Sequence, residues 1–302
     1  MIDLLLALWP LFALIVGGYC LRRFDFPGEA FWPGAERINY FVLFPALLFS
    51  SLATAPLNNP ALPRLALAVL LGLGVAWLGL LIWRRLRGWP AGRFGAFTQG
   101  LLRFNTYLGL AAVGSLFGQQ GLAVAALMLA LMVPTVNVLS VWALSAERGI
   151  SIRRLALPIV KNPLILACVL GTFYNLCGLP LPGGTDRLLG LLVAASLPLG
   201  LLCVGAALKP DQLGSEMRAL GFNSALRLLL MPALAWAVAY ALQLPAMECT
   251  LLVLFFALPT APTAYVLTRQ LGGDSQLMAG IITLQTLLAA VSLPFLLTLL
   301  GN

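Results

Sequence analysis

Two short segments inside long apolar runs contain residue types that bind small ligands. They are Arg103-Phe104-Asn105-Thr106-Tyr107 and Pro259-Thr260-Ala261-Pro262. Arginine donates hydrogen bonds in a geometry that suits carboxylate oxygens, and proline interrupts helical hydrogen bonding by removing a backbone donor. We therefore expect a ligand site where these segments meet, and the candidate substrate-binding residues are Arg103, Asn105, Thr106, Tyr107, Pro259 and Thr260.

Two further polar residues lie deep in apolar runs. Asn137 follows Pro134, and Gln285 lies in the last run of the chain. Such side chains commonly join membrane helices by hydrogen bonds, which is the alternative to ligand contact; we include both among the candidate substrate-binding residues. The candidate helix-break residues are Gly109, Pro259 and Pro262, and the alternative there is a simple proline kink with a satisfied backbone.

Two arginines lie well inside apolar runs, where a charged side chain is costly and commonly functional. They are Arg103 and Arg227, whereas all 10 Asp and Glu residues fall in loops or at the ends of runs. A cationic ligand would find no buried counter-charge, so we expect an anionic ligand paired with one of the arginines. For Arg103, the alternative is extension to the cytoplasmic headgroups. Carbonyl groups at a helix break are able to hold Na⁺, so coupling to protons or Na⁺ stays open.

The composition indicates that lipid is the solvent for most of this chain. Of 302 residues, 61% are hydrophobic and 9% are charged, against about 25% charged in soluble domains. The net charge of +8 comes from basic residues in short loops, which favours a lipid bilayer over nucleic acid as partner. The chain has no histidine, and its 5 cysteines contain no CxxC pair. We expect no metal site, no cofactor and no enzyme activity.

Ten apolar runs are long enough to cross a membrane as helices, since a span needs roughly 20 mostly apolar residues. The expected fold class is therefore an all-α polytopic membrane protein with ten transmembrane helices. The chain divides into two five-helix repeats, 1–145 and 146–302. The predicted spans are 3–21, 36–54, 63–83, 95–117, 121–145, 156–177, 187–208, 217–243, 248–269 and 275–300.

The distribution of Lys and Arg predicts the orientation, because positively charged loops stay in the cytoplasm. Of the 18 basic residues, 14 lie in odd-numbered loops and 2 in even-numbered loops, with Arg103 and Arg227 left over. Odd-numbered loops should therefore face the cytoplasm, and both termini the outside. Because each half has an odd number of spans, the two halves must be inverted relative to each other.

Recurring motifs support the inverted repeat. At the repeat offset Asn105 aligns with Pro259, so helices four and nine are expected to be broken at the same depth and to cross. Transporters with inverted repeats bind substrate at such crossings, where free N–H groups suit an anion. Three motif pairs recur 153 or 154 residues apart: Trp9-Pro10-Leu11 with Asn162-Pro163-Leu164, Phe44-Pro45 with Leu197-Pro198, and Gly118 with Gly272.

Several motifs resemble the auxin efflux carrier family, which includes plant PIN-type auxin exporters and bacterial malonate or malate permeases. The resemblance implies a scaffold domain (1–54 and 156–208), a transport domain (63–145 and 217–302), elevator-type motion and a homodimer through the scaffold. The motifs, which cover nearly the whole chain, are Phe44-Pro45-Ala46-Leu47-Leu48-Phe49, Arg103-Phe104-Asn105-Thr106-Tyr107 with Leu116-Phe117-Gly118, Asn137-Val138-Leu139-Ser140-Val141, Asn162-Pro163-Leu164, Val204-Gly205-Ala206-Ala207-Leu208 and Ala257-Leu258-Pro259-Thr260.

The resemblance also implies that Asn105 contacts a substrate carboxylate, because Asn105-Thr106 matches the Asn-Thr pair of the plant exporters. The chain departs from the plant pattern in two respects. It has no proline at the break in helix four, where Gly109 is near, and the loop from Ala146 to Leu155 is short and basic. Both departures argue against auxin, and a small organic acid is the expected substrate.

The sequence thus predicts a secondary transporter of a small organic carboxylate in the plasma membrane, the inner membrane of a bacterium. The alternative is a membrane sensor or scaffold that binds an organic anion without moving it. A channel is less consistent with the sequence, which offers no charged filter ring. The identity of the substrate, the direction of transport and the coupling ion stay open.

Overall fold

The computed structural model describes residues 2–55, 59–145, 161–178, 181–214 and 216–300. Within these ranges the regular structure is helical and no β-strand is present, which confirms the all-α fold. The α-helices in chain order are α1 (Ile2–Arg23), α2 (Phe31–Ile38), α3 (Phe44–Ala53), α4 (Leu62–Arg87), α5 (Ala91–Leu102), α6 (Thr106–Ser145), α7 (Pro163–Leu176), α8 (Thr185–Ala206), α9 (Met217–Ala225), α10 (Met231–Ala241), α11 (Ala246–Ala257), α12 (Thr263–Gln270) and α13 (Ser275–Leu300).

Long apolar helices confirm a multi-pass membrane protein. Pro163–Leu176 and Ala246–Ala257 are apolar but shorter, so the count of ten spans stays a prediction. The repeat boundary after residue 145, the loop from Ala146 to Leu155 and the start of the sixth predicted span lie outside the described residues. Among the described residues, 6 segments are long and apolar enough to cross a membrane: Leu6–Arg23, Leu62–Arg87, Ala91–Ser145, Thr185–Ala206, Met217–Ala241 and Ser275–Leu300.

Helix α6 folds back on itself at Gly118, where φ is 56°, a conformation that favours glycine. A β-carbon on Gly121 would lie 3.0 Å from Val113 Cγ1, and one on Gly114 would lie 3.6 Å from Leu122 Cδ1. In a straight helix, residues eight apart are separated by about 12 Å along the axis. The chain therefore reverses at Gly118, between the predicted fourth and fifth spans.

Two π-helical turns precede prolines at matching positions. Asn39–Leu43 joins α2 to α3, whose second residue is Pro45, and Leu226–Leu230 joins α9 to α10, whose second residue is Pro232. A proline ring displaces the carbonyl four residues earlier, so the hydrogen bonding shifts to the wider π register. The second residues of these turns are Tyr40, which lines the cavity described below, and Arg227, which lies behind it.

Helices α1 and α8 cross at glycines. A β-carbon on Gly18 would lie 2.0 Å from the Leu202 carbonyl oxygen, and one on Gly205 would lie 1.7 Å from that of Ile15. Both contacts are with backbone, so no larger side chain fits at either position. Small residues permit this close approach of membrane helices, and α3 packs against α7 beside them.

Candidate functional site

Two broken helices cross near the centre of the molecule. Helix α5 ends at Leu102 and α6 begins at Thr106, while α11 ends at Ala257 and α12 begins at Thr263. Arg103 (φ −74°, ψ 146°) and Leu258 (φ −63°, ψ 143°) leave their helices in nearly the same extended conformation. The crossing is closed by a hydrogen bond of 2.8 Å from the backbone N–H of Asn105 to the carbonyl of Pro259.

A cavity of about 70 Å³ opens beside the crossing. On this measure a single water occupies about 10–15 Å³, so the cavity suits a ligand of a few heavy atoms. Apolar side chains, among them Phe44 and Val136, form part of its wall. Its polar lining residues are Tyr40, Arg103, Asn105, Thr106, Tyr107, Asn137, Asn162 and Thr263.

Hydrogen-bond donors and positive charge dominate this cavity. Arg103 donates to Gln99 Oε1 at 3.2 Å and has no carboxylate within ion-pair distance among the described residues. Asn105 Oδ1 accepts from the Leu108 N–H at 3.1 Å, whereas its buried Nδ2 has no partner in the described part of the chain. Helices α6 and α12 both begin at the cavity, and helix N-termini carry partial positive charge. The arrangement suits an anion.

Gln99 connects Arg103 to both broken helices. Its Oε1 accepts from Arg103, and its Nε2 donates to Thr268 Oγ1 at 2.6 Å. Gln99 lies in α5 and Thr268 in α12, and both side chains are fully buried. The position of the cavity arginine therefore depends on the contact between the two helices.

The structure brings several of the sequence-predicted residues together at the cavity and places others behind the crossing. Thr260 Oγ1 lies 2.9 Å from the Gly100 carbonyl and 2.7 Å from Gln285 Oε1, and Gln285 Nε2 donates to the same carbonyl at 3.0 Å. Pro259 meets Asn105 through its backbone. These three residues join the broken helices and do not line the cavity. The predicted residues that do line it are Arg103, Asn105, Thr106, Tyr107, Asn137 and Pro262.

Gly109 does not form the helix break, in contrast to the expectation from the sequence. It lies within α6, where a β-carbon would stand 2.6 Å from Leu258 Cδ1 and 3.1 Å from Phe255 Cε1. The break falls earlier, at residues 103–105, because Asn105 caps the start of α6 through the Leu108 N–H. The lack of a side chain at Gly109 allows α6 to pack closely on the end of α11.

Arg227 neither lines the cavity nor extends to the headgroups. Its side chain is 1% exposed, and it donates through Nε to the Leu258 carbonyl at 2.6 Å. Nη1 donates to the Leu101 carbonyl at 2.7 Å, and Nη2 to that of Phe255 at 3.1 Å. Of the two arginines considered as partners of a substrate carboxylate, Arg227 is bonded to these backbone carbonyls. Arg103 is the arginine that lines the cavity.

Several lining residues were not among the sequence candidates, and they include Tyr40, Phe44, Asn162 and Thr263. Asn162 caps α7, its Oδ1 accepting from the Leu164 N–H at 2.9 Å. An Asn directly before a Pro is a signal for a helix start, so Asn162-Pro163 locates this residue at a helix end. For Tyr40, the signal in the sequence is Pro45, because this proline produces the π-helical turn that contains Tyr40.

The fold and its cavity define the class: a multi-pass α-helical membrane protein with a cavity lined by polar side chains. Residues 150–297 match the family model described as Membrane transport protein. The chain is also 29% identical over 288 residues to an uncharacterized transporter of Methanothermobacter thermautotrophicus (strain Delta H), with 93% of each chain covered. Both matches support a membrane transporter, and they support the resemblance to the auxin efflux carrier family.

Proposed function

We propose that this protein is a secondary transporter that moves a small organic carboxylate across the plasma membrane. The family match and the similarity to a transporter support transport. The observation that carries the substrate class is the buried Nδ2 of Asn105, which has no partner among the described residues. Asn105 lines the cavity together with Arg103. An unsatisfied buried donor costs about 1–3 kcal/mol, and a bound anion would remove that cost.

In the proposed complex, the carboxylate accepts hydrogen bonds from Asn105 Nδ2 and from the guanidinium of Arg103. The first turns of α6 and α12 add positive potential, and the aromatic wall at Phe44 contacts the carbon chain of the substrate. The volume of about 70 Å³ favours short acids over large aromatic ones. Aromatic auxin is therefore a poorer fit than an acid of a few carbons.

We infer an elevator-type movement of a transport domain against a scaffold, with ten spans arranged as two inverted repeats. The glycine crossing of α1 with α8, and the packing of α3 on α7, support a compact scaffold group. Tyr107 joins the two groups: its ring packs edge-on against Phe44 at 4.8 Å between centroids, and a β-carbon on Gly200 would lie 2.7 Å from its Cδ1. Movement of the transport domain has to break this contact. By the charge distribution of the loops, both termini face outward.

A thermal-shift screen of short mono- and dicarboxylates against the purified protein tests the substrate class. A ligand that binds only the folded state raises the unfolding temperature, so we expect at least one acid to do so. Arg103→Ala and Asn105→Ala should each weaken its binding about tenfold to a hundredfold, because a hydrogen bond to a charged group contributes about 1.5–3 kcal/mol.

Arg187→Ala is the matched control, because Arg187 is exposed at the start of α8 and absent from the cavity wall. This variant should retain wild-type affinity. The absence of stabilisation by any acid would contradict the substrate class. Unchanged affinity in both Arg103→Ala and Asn105→Ala would contradict the site.

A further inference from the structure

Three backbone carbonyls converge on the buried guanidinium of Arg227, behind the crossing. They belong to Leu101 at the end of α5 and to Phe255 and Leu258 at the end of α11. The C-terminal ends of helices carry partial negative charge, and the carbonyls of broken helices coordinate cations in other transporters. The cluster therefore has the chemistry of a cation site.

The two prolines of the second broken helix explain why two of these carbonyls are free. In a continuous helix the carbonyl of Phe255 would accept from the N–H of residue 259, and that of Leu258 from the N–H of residue 262. Both positions are proline, which has no N–H. A buried carbonyl without a donor is costly, so each needs a donor from outside its helix.

The first broken helix frees the third carbonyl in a different way. The carbonyl of Leu101 would accept from the N–H of Asn105, but that group donates to Pro259 across the crossing. Arg227 supplies the missing donor at 2.7 Å. One side chain thus completes the backbone hydrogen bonding of both helix ends.

No carboxylate balances this buried charge within the described ranges, where the ion pairs involve Arg93 and not Arg227. Leaving a buried charge uncompensated costs several kcal/mol. The compensation here comes from the three carbonyls and from the negative ends of α5 and α11. Asn223, four residues before Arg227, makes a further contact with α5, because its Nδ2 donates to the Phe97 carbonyl at 2.9 Å.

We propose that this carbonyl cluster is a cation site occupied by the side chain of Arg227, and that Arg227 is a positioning residue for the transport site. The guanidinium ties together the two helix ends from which the extended segments with Arg103 and Pro259 begin. The expected effect of Arg227 on substrate binding rests on the proposed function. The binding of the Arg227 side chain to the carbonyl cluster does not, and the experiment below measures the two separately.

The test removes the guanidinium and supplies it again as a free ion. Arg227→Ala is purified with and without low-millimolar guanidinium, far below the molar concentrations that unfold proteins. Thermal unfolding is measured without substrate, with tetramethylammonium at equal ionic strength as the ion control. Arg218→Ala is the matched variant, because Arg218 is exposed on α9, the helix that leads into the π-helical turn with Arg227.

We expect Arg227→Ala to unfold at a lower temperature and to be stabilised by guanidinium but not by tetramethylammonium. Arg218→Ala should respond to neither ion. The affinity of Arg227→Ala for the acid found in the screen should fall about tenfold or more, because the charged hydrogen bonds that position the two helix ends are lost. Guanidinium should restore the affinity, because it replaces these hydrogen bonds. Guanidinium that fails to stabilise Arg227→Ala specifically would overturn the cation site.

Arg227→Lys and Arg227→Gln keep the proposal testable if Arg227→Ala does not fold. Lysine retains the charge but not the planar fork, and glutamine retains donors without the charge. The Lys variant should be the more stable of the two, and equal or greater stability of the Gln variant would overturn the cation site. Guanidinium rescue with unchanged acid affinity would overturn the positioning role. Guanidinium rescue in a protein whose wild type binds no acid would support the cation site and reject the proposed function.

Discussion

We propose two separate roles for Asn105 at the crossing, one for each end of its amide. Oδ1 accepts from the Leu108 N–H and thereby caps α6, whereas Nδ2, which has no partner among the described residues, is the proposed donor to a ligand. An Ala substitution removes both roles at once. The two roles can be separated by a substitution that keeps the acceptor and replaces the donor.

Asn105→Asp makes that separation. Aspartate is as good a helix cap as asparagine, so the unfolding temperature should stay within a few degrees of the wild type. The new carboxylate repels an anion and offers it no donor, so acid binding should fall by about a hundredfold or more. Thermal unfolding and acid titration of the same preparation provide both readouts. Wild-type affinity in a folded Asn105→Asp protein would show that Nδ2 does not contact the ligand.

The two arginines at membrane depth show what sequence can and cannot predict at this scale. Charge at depth, and the absence of Asp and Glu from the interior of the apolar runs, marked both Arg103 and Arg227 as unusual. Sequence could not distinguish them, because the partners of Arg227 are backbone carbonyls, which every residue has. The freed carbonyls are nevertheless implied by Pro259 and Pro262, each of which removes the donor four residues after a carbonyl.

Individual helices were the part of the structure that sequence predicted well. Apolar runs located most helices to within a few residues, and the repeat offset aligned Asn105 with Pro259, which a hydrogen bond joins. The error at Gly109 has a physical cause. A glycine is equally consistent with a break and with close packing, and a β-carbon 2.6 Å from Leu258 Cδ1 identifies packing here.

One ion-pair cluster ties three elements together outside the predicted spans. Glu216, directly before α9, accepts hydrogen bonds from both terminal nitrogens of Arg93 in α5, one of them at 2.9 Å. Asp274, directly before α13, lies 3.8 Å from Arg93 Nη1. The hydrogen bonds from Arg93 lower the pKa of the Glu216 carboxyl below its ordinary value.

This lowered pKa predicts a pH-dependent contribution to stability. The contribution is complete above the ordinary Glu pKa of about 4.3 and is lost as the pH falls through the lower folded-state pKa. Because the pair is partly exposed, its contribution should be at most about 1 kcal/mol. Thermal unfolding should show that Glu216→Gln is less stable than the wild type near neutral pH, and that the difference disappears in acid.

Glu29→Gln, which removes an exposed carboxylate, is the control and should follow the wild type at every pH. A difference between Glu216→Gln and the wild type that persists or grows in acid would refute the proposed role of the ion pair.

For the whole molecule, the composition indicated a membrane protein, and the charge distribution of the loops predicted an inverted arrangement. Packing between distant helices could not be predicted in the same way, because it depends on which small residues face each other. The crossing of Gly18 with the Leu202 backbone and of Gly205 with the Ile15 backbone is one example. The cavity is another, because Tyr40 and Asn162 are far from Arg103 along the chain.

We propose that the protein moves an organic acid across the membrane and binds it in the cavity at the crossing. The most direct test is uptake of the radiolabelled acid found in the screen, into proteoliposomes that contain the same acid unlabelled. Wild-type and Arg187→Ala protein should exchange it, and folded Asn105→Asp protein should lose the exchange. Tight binding of the acid by the wild type with no exchange above empty liposomes would contradict the claim and indicate a sensor. Undiminished exchange by Asn105→Asp would place the pathway elsewhere.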